Sequence, residues 1–255
     1  MSDLRPIGRG ERPSIPAPER LCLFLDLDGT LAPIADDPAA VGPDGRRTAL
    51  LHALEARLGG RLAVLSGRPL PEIDRIGGGA VGAAAGTHGL ELRLPDGAVD
   101  APAPHAGLDE ARRRFEAFAA ADPGLLVEHK ALSVGLHYRR APARSEAAQA
   151  LADQLVAETG LTLQSGSMVV ELKTPGADKG EALRRLMAVE PFVGGVPVMV
   201  GDDLTDEAAF AAAAELGGFG VLVGPERDTV AAARLDDVAA TLDWLEGLAA
   251  LERAA

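Results

Sequence analysis

Two carboxylates placed two positions apart are the first candidates for chemistry in this sequence. Residues 26–30 read Asp-Leu-Asp-Gly-Thr and follow an apolar run directly. Ligand sites of open parallel sheets lie at the carboxyl ends of strands, which is where this segment would fall. One carboxylate could form an aspartyl-phosphate while its neighbour moves a proton. The pattern favours phosphoryl-transfer chemistry, and a plain Asp-Gly turn is the alternative.

Two later segments carry groups that could bind phosphate. Ser66, Gly67 and Arg68 follow a second apolar run, and a hydroxyl with turn amides could hold a phosphate oxygen there. A Ser-Gly pair is also a common turn. Lys179 opens a predicted helix, where its charge opposes the helix dipole. This unfavourable position suggests another use, such as holding phosphate charge.

An acidic segment completes the set. Residues 201–207 read Gly-Asp-Asp-Leu-Thr-Asp-Glu and follow the apolar run 196–200. The acids could complement the dipole of a helix start. They also suit Mg²⁺, which prefers oxygen ligands and takes one or two carboxylates together with substrate phosphate. We expect all four segments at one edge of one sheet.

The elements that must position these residues are short apolar runs separated by helical patterns. The runs are 21–27, 62–65, 81–85, 196–200 and 220–223. Helices are predicted after the first run, ending at Gly59, and again over 208–214, 230–233 and 242–248. Alternation of this kind predicts an α/β fold, a doubly wound (Rossmann-like) parallel sheet covered by helices.

The rhythm changes between residues 101 and 173 to helix, two strands, helix, two strands. This predicts an inserted α+β module, which we call the cap domain. The predicted organisation is a flexible tail (1–20), a core domain (21–100 and 174–255) and the cap domain (101–173).

The strands of the predicted cap domain separate polar from apolar residues by parity, because alternate strand residues face the same side. Val134 and Leu136 fall on one side with other apolar residues. The opposite side collects hydrogen-bonding and charged residues, namely Glu128, Lys130, Ser133, His137, Arg139, Glu171 and Lys173. This face is predicted to bind a polar ligand, and a solvated sheet surface is the alternative.

The overall composition narrows the class of partner. The chain has 255 residues, 38 acidic against 25 basic side chains, and a net charge of −13, which disfavours nucleic acid and anionic lipid. Its one cysteine, Cys22, lies in an apolar run and is expected to be buried. The stretch 1–20 lacks the apolar core of a signal peptide, and no run reaches membrane-spanning length. We therefore expect a cytoplasmic protein, and we separately expect it to be a monomer.

Taken together, these motifs resemble the haloacid-dehalogenase-like phosphatase superfamily and, within it, the trehalose-6-phosphate phosphatases. The resemblance extends over nearly all of 21–248. It is carried by segments 28–34 (Asp-Gly-Thr-Leu-Ala-Pro-Ile), 86–91 (Gly-Thr-His-Gly-Leu-Glu), 128–139 and 201–210.

The resemblance implies a mechanism in which Asp26 attacks phosphorus and Asp28 first protonates the leaving sugar oxygen, then activates water. It also implies Mg²⁺ as cofactor, held by the Asp26 carboxylate, the Asp28 backbone carbonyl and Asp202, with Asp203 and Asp206 in support. The phosphate would be bound by Thr30, Ser66, Gly67, Arg68 and Lys179. The sugar would be bound by Glu128, Lys130, His137, Arg139 and Glu171.

The resemblance thus implies hydrolysis of trehalose 6-phosphate, a small-molecule sugar phosphate, in trehalose biosynthesis. Two positions depart from the family pattern: Leu27 replaces a commonly aromatic residue, and His129 stands where Asn or Asp is expected. Another capped sugar phosphatase, of the sucrose-phosphate or mannosyl-phosphoglycerate type, is the nearest alternative. A catalytically silent binding module of the same fold is the other, although Asp26, Asp28 and Asp202 are all present.

Overall fold

The computed structural model describes residues 17, 19–35, 37–166 and 168–250. Two compact units divide the chain. The core unit comprises the described residues up to Asp100 and from Ala177 onward, and the cap unit is Ala101–Gly176. The predicted tail 1–20 lies almost entirely outside the described residues. The insert was predicted to end at 173, whereas the cap unit continues to Gly176.

The described residues form these strands: β1 (Leu21–Leu25), β2 (Leu62–Leu65), β3 (Ala83–Gly86), β4 (Glu91–Arg93), β5 (Val99–Asp100), β6 (Leu126–His129), β7 (Ser133–His137), β8 (Thr162–Gly166), β9 (Val169–Lys173), β10 (Val196–Gly201), β11 (Phe219–Val223) and β12 (Ala233–Leu235). The α-helices are α1 (Gly45–Leu58), α2 (Leu70–Gly77), α3 (Leu108–Ala119), α4 (Ser145–Thr159), α5 (Lys179–Met187), α6 (Glu207–Glu215) and α7 (Val238–Ala249).

An 8-stranded sheet forms the centre of the core unit, in the order β12-β11-β10-β1-β2-β3-β4-β5. Neighbours from β12 to β3 run parallel, and β4 and β5 are antiparallel. The order reverses at β1, because β2 and β3 lie on one side of it and β10 on the other. The prediction of a doubly wound α/β core is confirmed.

Alternation along the strands divides the core into two apolar layers. Leu23 and Leu25 pack with side chains of α1, α2 and α7. Cys22 and Phe24 face the other layer, with α5 and α6. Both sides of β1 are fully buried, which explains why the strand reads as a continuous apolar run. Cys22 is buried as predicted.

Three regions differ from the prediction. Helix α2, which begins directly after Pro69, was not predicted, although Leu70, Ile73 and Ile76 keep helical spacing and form its buried face. Strands β4 and β5 form a hairpin that was not predicted, around a turn at Gly97 with φ +87°. The helix predicted over 230–233 is wrong: the chain bends at Val230 and Ala232, and Ala233 begins β12, where it pairs with Val221 in a parallel edge strand.

The cap unit has its own sheet and its own apolar core. Strands β6-β7-β9-β8 form a 4-stranded antiparallel sheet. Its apolar side packs on α3 and α4 through buried side chains that include Phe115, Val134, Leu155 and Leu172. The predicted order of helix and strand pairs is confirmed. None of the helices in the described part of the chain has the length and hydrophobicity that crossing a membrane requires.

Candidate active site

Asp26 is the first residue after β1. Its backbone N–H donates to the carbonyl of Val200 in β10 at 2.8 Å. Asp26 therefore stands at the carboxyl edge of the sheet, where the strand order reverses. The chain then turns at Gly29, whose φ is +81°. A side chain at Gly29 would overlap the carboxylate of Asp202, so glycine allows the loops after β1 and β10 to pack together.

A buried lysine joins two of the acidic residues. Lys179 is the first residue of α5, and its Nζ donates to Asp26 Oδ1 at 2.8 Å and to Asp206 Oδ1 at 2.7 Å. The start of α5 is capped by the Asp178 side chain, which accepts from the N–H of Glu181 at 2.8 Å. The position that is unfavourable for the helix dipole is thus explained by two carboxylate partners.

Three carboxylates converge around this lysine. Asp26, Asp202 and Asp206 each place an oxygen within 4.8 Å of the other two. Asp26 and Asp206 are buried, at 5% and 0% exposure. The hydroxyl of Thr30, itself fully buried, donates to Asp202 Oδ1 at 3.4 Å. The single ammonium group of Lys179 cannot balance the charge of three carboxylates, so this buried cluster has excess negative charge.

Burial and the neighbouring carboxylates also shift the pKa values of these residues. Burial raises the pKa of Asp26 well above its ordinary value; the charge of Lys179 opposes this, and Asp206 and Asp202 add to it. Burial also raises the pKa of Asp202 to about 7, with Asp206 adding to the effect. For Lys179, burial alone would lower the pKa, but Asp206 and Asp26 outweigh it and raise the pKa. A divalent cation would relieve this repulsion, and carboxylate oxygens are the ligands that Mg²⁺ prefers.

Asp203 lies beside this group but is used differently. Its carboxylate accepts from the N–H of Leu204 at 2.8 Å, and its own N–H donates to Asp206 Oδ2 at 3.0 Å. The two aspartates thus cap the helical turn 204–206 reciprocally. The structure therefore places Asp206, rather than Asp203, among the converging carboxylates.

Asp28, the predicted acid and base, is held by Arg68. Arg68 Nε donates to Asp28 Oδ2 at 2.7 Å, and Nη2 donates to Asp28 Oδ1 at 2.8 Å. The same guanidinium donates from Nη1 to the carbonyl of Pro38 at 2.9 Å. Arg68 was predicted to bind phosphate, and in this structure its fork engages the carboxylate instead. The side chain of Asp28 remains 33% exposed, so it is accessible.

Ser66 is the first residue after β2, which neighbours β1 in the sheet. It is buried, and its Oγ accepts the N–H of Arg68 at 3.1 Å. Gly67 packs against the ring of His88, since a Cβ on Gly67 would lie 2.6 Å from His88 Cε1. The Ser66 loop therefore lies at the same edge as Asp26, as predicted from the strand order.

The cap unit carries a buried polar network on the face predicted by parity. Lys130 Nζ donates to both oxygens of Glu171, at 3.1 and 3.0 Å, and Ser133 Oγ donates to Glu171 Oε1 at 2.5 Å. His137 Nε2 lies 2.9 Å from Glu128 Oε2, and Lys130 Nζ lies 3.7 Å from the same oxygen. Four of the five predicted sugar-binding residues are thus brought together.

The electrostatics of this network favour the charged form of Glu128. Burial alone would raise the pKa of Glu128, but the hydrogen bond from His137 and the charge of Lys130 lower it below its ordinary value. Arg139, the remaining predicted residue, follows β7 and is half-buried. His129 Nε2 lies 3.2 Å from Glu116 Oε1 of α3, so its side chain is on the helix side of the sheet, as its parity predicts.

Sequence reasoning missed a support behind the acidic loop. Arg227, in the loop after β11, donates to Glu207 and also to the carbonyl of Asp203, the latter at 2.9 Å. Thr229 Oγ1 donates to Glu207 Oε1 at 2.8 Å. Glu207 belongs to the acidic motif, but no pattern in the sequence indicates that an arginine of the next loop is its partner.

Comparison with known proteins assigns these residues to a family. The family model for trehalose-phosphatase matches residues 24–238. A probable trehalose-phosphate phosphatase of Sinorhizobium fredii is 38% identical over 205 residues, which cover 80% of this chain and 77% of that protein. The trehalose-6-phosphate phosphatase of Escherichia coli is 37% identical over 225 residues, covering 88% and 84%. The chain belongs to the trehalose-phosphatase family. It is therefore a phosphoric monoester hydrolase.

Solved structures agree with the predicted fold. The C-terminal domain of Candida albicans trehalose-6-phosphate phosphatase matches with a TM-score of 0.80 at 23% identity, covering 92% of this chain and 93% of that one. A trehalose-6-phosphate phosphatase related protein matches with a TM-score of 0.73 at 25% identity, covering 90% and 96%. A Bacteroides thetaiotaomicron phosphatase of the haloalkanoate (HAD) superfamily matches with a TM-score of 0.61 at 18% identity, covering 94% and 98%. The predicted family and fold are confirmed.

Proposed function

We propose that this chain is a magnesium-dependent phosphatase that hydrolyses trehalose 6-phosphate to trehalose and phosphate through an aspartyl-phosphate. One observation carries the proposal. Asp26 is buried at the carboxyl end of the central strand and is hydrogen-bonded to Lys179. Its carboxylate lies within 4.8 Å of those of Asp202 and Asp206. Similarity to named trehalose-phosphate phosphatases supports the choice of substrate.

In the first proposed step, an oxygen of Asp26 attacks phosphorus in line. The bond from phosphorus to the sugar oxygen breaks, and Asp28 gives a proton to that oxygen as it leaves. In the second step, Asp28 takes a proton from water while the water oxygen attacks phosphorus. The bond from phosphorus to Asp26 then breaks, which releases phosphate and restores both carboxyl groups.

The phosphoryl oxygens are proposed to be held by Thr30, Ser66, Gly67, Arg68 and Lys179. Fixed donors and a buried cation stabilise the charge of the transition state, because they need no reorganisation during the reaction. Mg²⁺ would be held by the carboxylates of Asp26, Asp202 and Asp206 and the backbone carbonyl of Asp28, with Asp203 in support, and would neutralise phosphoryl charge.

The polar face of the cap unit is proposed to bind the sugar hydroxyls. Glu128, Lys130, His137 and Glu171 already share hydrogen bonds in a largely buried network, and Arg139 is the fifth residue proposed. Charged groups that are held in place lose little freedom when they bind a hydroxyl, so they favour one arrangement of a disaccharide.

A phosphate-release assay tests the proposal. The panel is trehalose 6-phosphate, sucrose phosphate, mannosyl phosphoglycerate and glucose 6-phosphate, each with Mg²⁺, with Ca²⁺ and with EDTA. We expect release from trehalose 6-phosphate with Mg²⁺, little with Ca²⁺, whose longer bonds and higher coordination number fit in-line attack badly, and none with EDTA. Faster phosphate release from another sugar phosphate would contradict the proposed substrate. An undiminished rate in EDTA would contradict the proposed dependence on Mg²⁺.

A further inference from the structure

The segment 86–91 is the one signature of the sequence to which the proposed function assigns no role. It reads Gly-Thr-His-Gly-Leu-Glu and begins at the end of β3. Thr87, His88 and Gly89 have φ angles of +46°, +56° and +99°. Thr87 and His88 carry side chains, and residues with a Cβ rarely adopt this conformation because the Cβ approaches the following carbonyl oxygen. Such conformations persist where the surroundings hold them, often at functional sites.

Several hydrogen bonds hold this turn in place. The N–H of Thr87 donates to the carbonyl of Arg68, and the N–H of His88 donates to the carbonyl of Ser66, both at 3.0 Å. The hydroxyl of Thr87, which is 1% exposed, donates to Glu91 Oε2 at 2.8 Å. The same oxygen of Glu91 accepts the N–H of Leu70 at 3.4 Å. The turn is thus hydrogen-bonded to the backbone at both ends of the Ser66–Arg68 loop.

The turn also contacts the segment that carries the buried lysine. A Cβ on Gly89 would overlap the carbonyl oxygen of Asp178 and lie 3.1 Å from the backbone nitrogen of Lys179. On its other side, the ring of His88 covers Gly67, with Cε1 2.6 Å from where a Cβ of Gly67 would be. One turn therefore touches two phosphate-binding segments that lie far apart in the sequence.

We propose that the Thr87–Gly89 turn is a positioning element of the phosphate site, which sets the spacing between the Ser66 loop and Lys179. The proposal rests on the proposed function, because it takes these two segments to hold phosphoryl oxygens. The strained conformation brings the backbone of the turn against both segments at once. A relaxed turn would let the hydroxyl of Ser66 and the ammonium of Lys179 move apart, which weakens their joint hold on phosphate.

The experiment compares Gly89→Ala with Gly97→Ala. Gly97 has φ +87° and nothing within 4 Å of its Cβ position, so its substitution imposes a similar backbone cost without the contact. For both variants and the wild type we would measure thermal unfolding, kcat for trehalose 6-phosphate, and calorimetric binding of inorganic phosphate in Mg²⁺. We expect Gly89→Ala to lose about tenfold or more in kcat and in phosphate affinity. Gly97→Ala should stay within about twofold.

Thr87→Val decides the question if Gly89→Ala does not fold. Valine keeps the branched shape and removes the hydrogen bond to Glu91. Its control is Thr241→Val, because Thr241 is also buried and its hydroxyl donates to the carbonyl of Asp237 at 2.9 Å in α7. Both variants should lose stability. Only Thr87→Val should also weaken phosphate binding, by about threefold to tenfold.

The outcomes separate this proposal from the proposed function. If the turn variants bind phosphate as well as their controls while the wild type is active, the turn has no positioning role. If the wild type binds phosphate but releases none from any sugar phosphate, the proposed function fails, and the binding comparison still decides the role of the turn. If the wild type neither binds phosphate nor releases it, both proposals are overturned.

Discussion

The guanidinium of Arg68 occupies both carboxylate oxygens of Asp28, at 2.7 and 2.8 Å. A fork of this kind fixes the plane and direction of the carboxyl group. In the proposed mechanism, Asp28 must take up a proton and give up one of these hydrogen bonds before it can protonate the oxygen of the leaving sugar. Arg68 therefore orients Asp28, and in the proposed mechanism the donor that Asp28 releases would bind a phosphoryl oxygen.

Replacing Arg68 by lysine should slow the hydrolysis of substrates with poor leaving groups most. Lysine keeps the charge but offers no planar fork, so Asp28 loses its fixed direction. Because an alkoxide needs a proton and p-nitrophenolate does not, kcat should fall about tenfold to a hundredfold for trehalose 6-phosphate and only a few-fold for p-nitrophenyl phosphate. Arg75→Lys is the control, since Arg75 makes a similar fork to Glu72 on the exposed side of α2. Equal losses on both substrates would assign Arg68 to phosphate binding alone.

Asp26→Asn should abolish phosphate release while leaving the fold intact. An amide does not attack phosphorus and has no charge for a metal, yet its shape is nearly that of the carboxylate. Asp206 still accepts from Lys179 in this variant, so the buried ammonium keeps one carboxylate partner. Single-turnover assays and circular dichroism check the two halves of the prediction. A folded variant with activity near that of the wild type would overturn the role of Asp26.

The metal-free protein should become less stable as the pH rises from about 4 to about 7. The pKa of Asp202 is raised in the folded state from 3.8 to about 7, so the folded protein holds a proton that the unfolded chain has lost in this window. Stability therefore falls with rising pH, and the loss is complete above the folded-state pKa. Urea unfolding in EDTA at several pH values measures the slope.

Asp202→Asn is the control for this pH dependence. In the variant, the slope of the unfolding free energy against pH should become less negative, because the titrating carboxyl group is gone. The change should correspond to up to about one proton. Carboxyl groups far from this site titrate alike in both proteins and cancel in the comparison. Asp26 does not, because the variant removes the Asp202 charge that raises its pKa, and this change also makes the slope less negative. Identical slopes would show that Asp202 does not carry the repulsion described for the acidic group.

Glu128→Ala should separate sugar recognition from phosphate chemistry. The variant should lose one or two charge-assisted hydrogen bonds to the sugar, each contributing about 1.5–3 kcal/mol. We therefore expect kcat/KM for trehalose 6-phosphate to fall roughly tenfold or more. Hydrolysis of p-nitrophenyl phosphate should barely change, since it has no sugar to bind. His129→Ala is the matched control, because this neighbour faces Glu116 on the other side of the sheet. Losses on both substrates would mean that Glu128 acts through the fold of the cap unit.

The sequence was sufficient where burial leaves a regular pattern. β1 and β10 are buried on both faces and read as apolar runs, so the acids that follow them could be placed at one edge. The polar and apolar sides of the cap sheet followed from parity for the same reason, because only one side packs on helices. Asp-Gly at 96–97 between alternating residues was a hairpin signal that could have been used.

The remaining features depend on contacts between distant segments. That Asp206 rather than Asp203 joins Asp26 is decided by a reciprocal cap of the turn 204–206, which the acidic motif alone does not show. The pairing of Arg68 with Asp28 needs the loops after β1 and β2 to be side by side. The spacing of residues 230–233 predicts a helix, but four residues carry too little periodicity to decide, and pairing of Ala233 with Val221 of β11 starts a strand instead.

The pairing of β1 has a consequence for synthesis on the ribosome. One edge of β1 pairs with β2, which follows soon after, and the other waits for β10, which is made only after the whole cap unit. An apolar central strand with an open edge is a site of wrong association between nascent chains. The cap unit, continuous in sequence and with its own apolar core, can fold during this interval. Until β10 is made, the nascent chain carries Asp26, the proposed nucleophile, on an unfinished sheet, so catalytic competence requires segments that are synthesised after the cap unit.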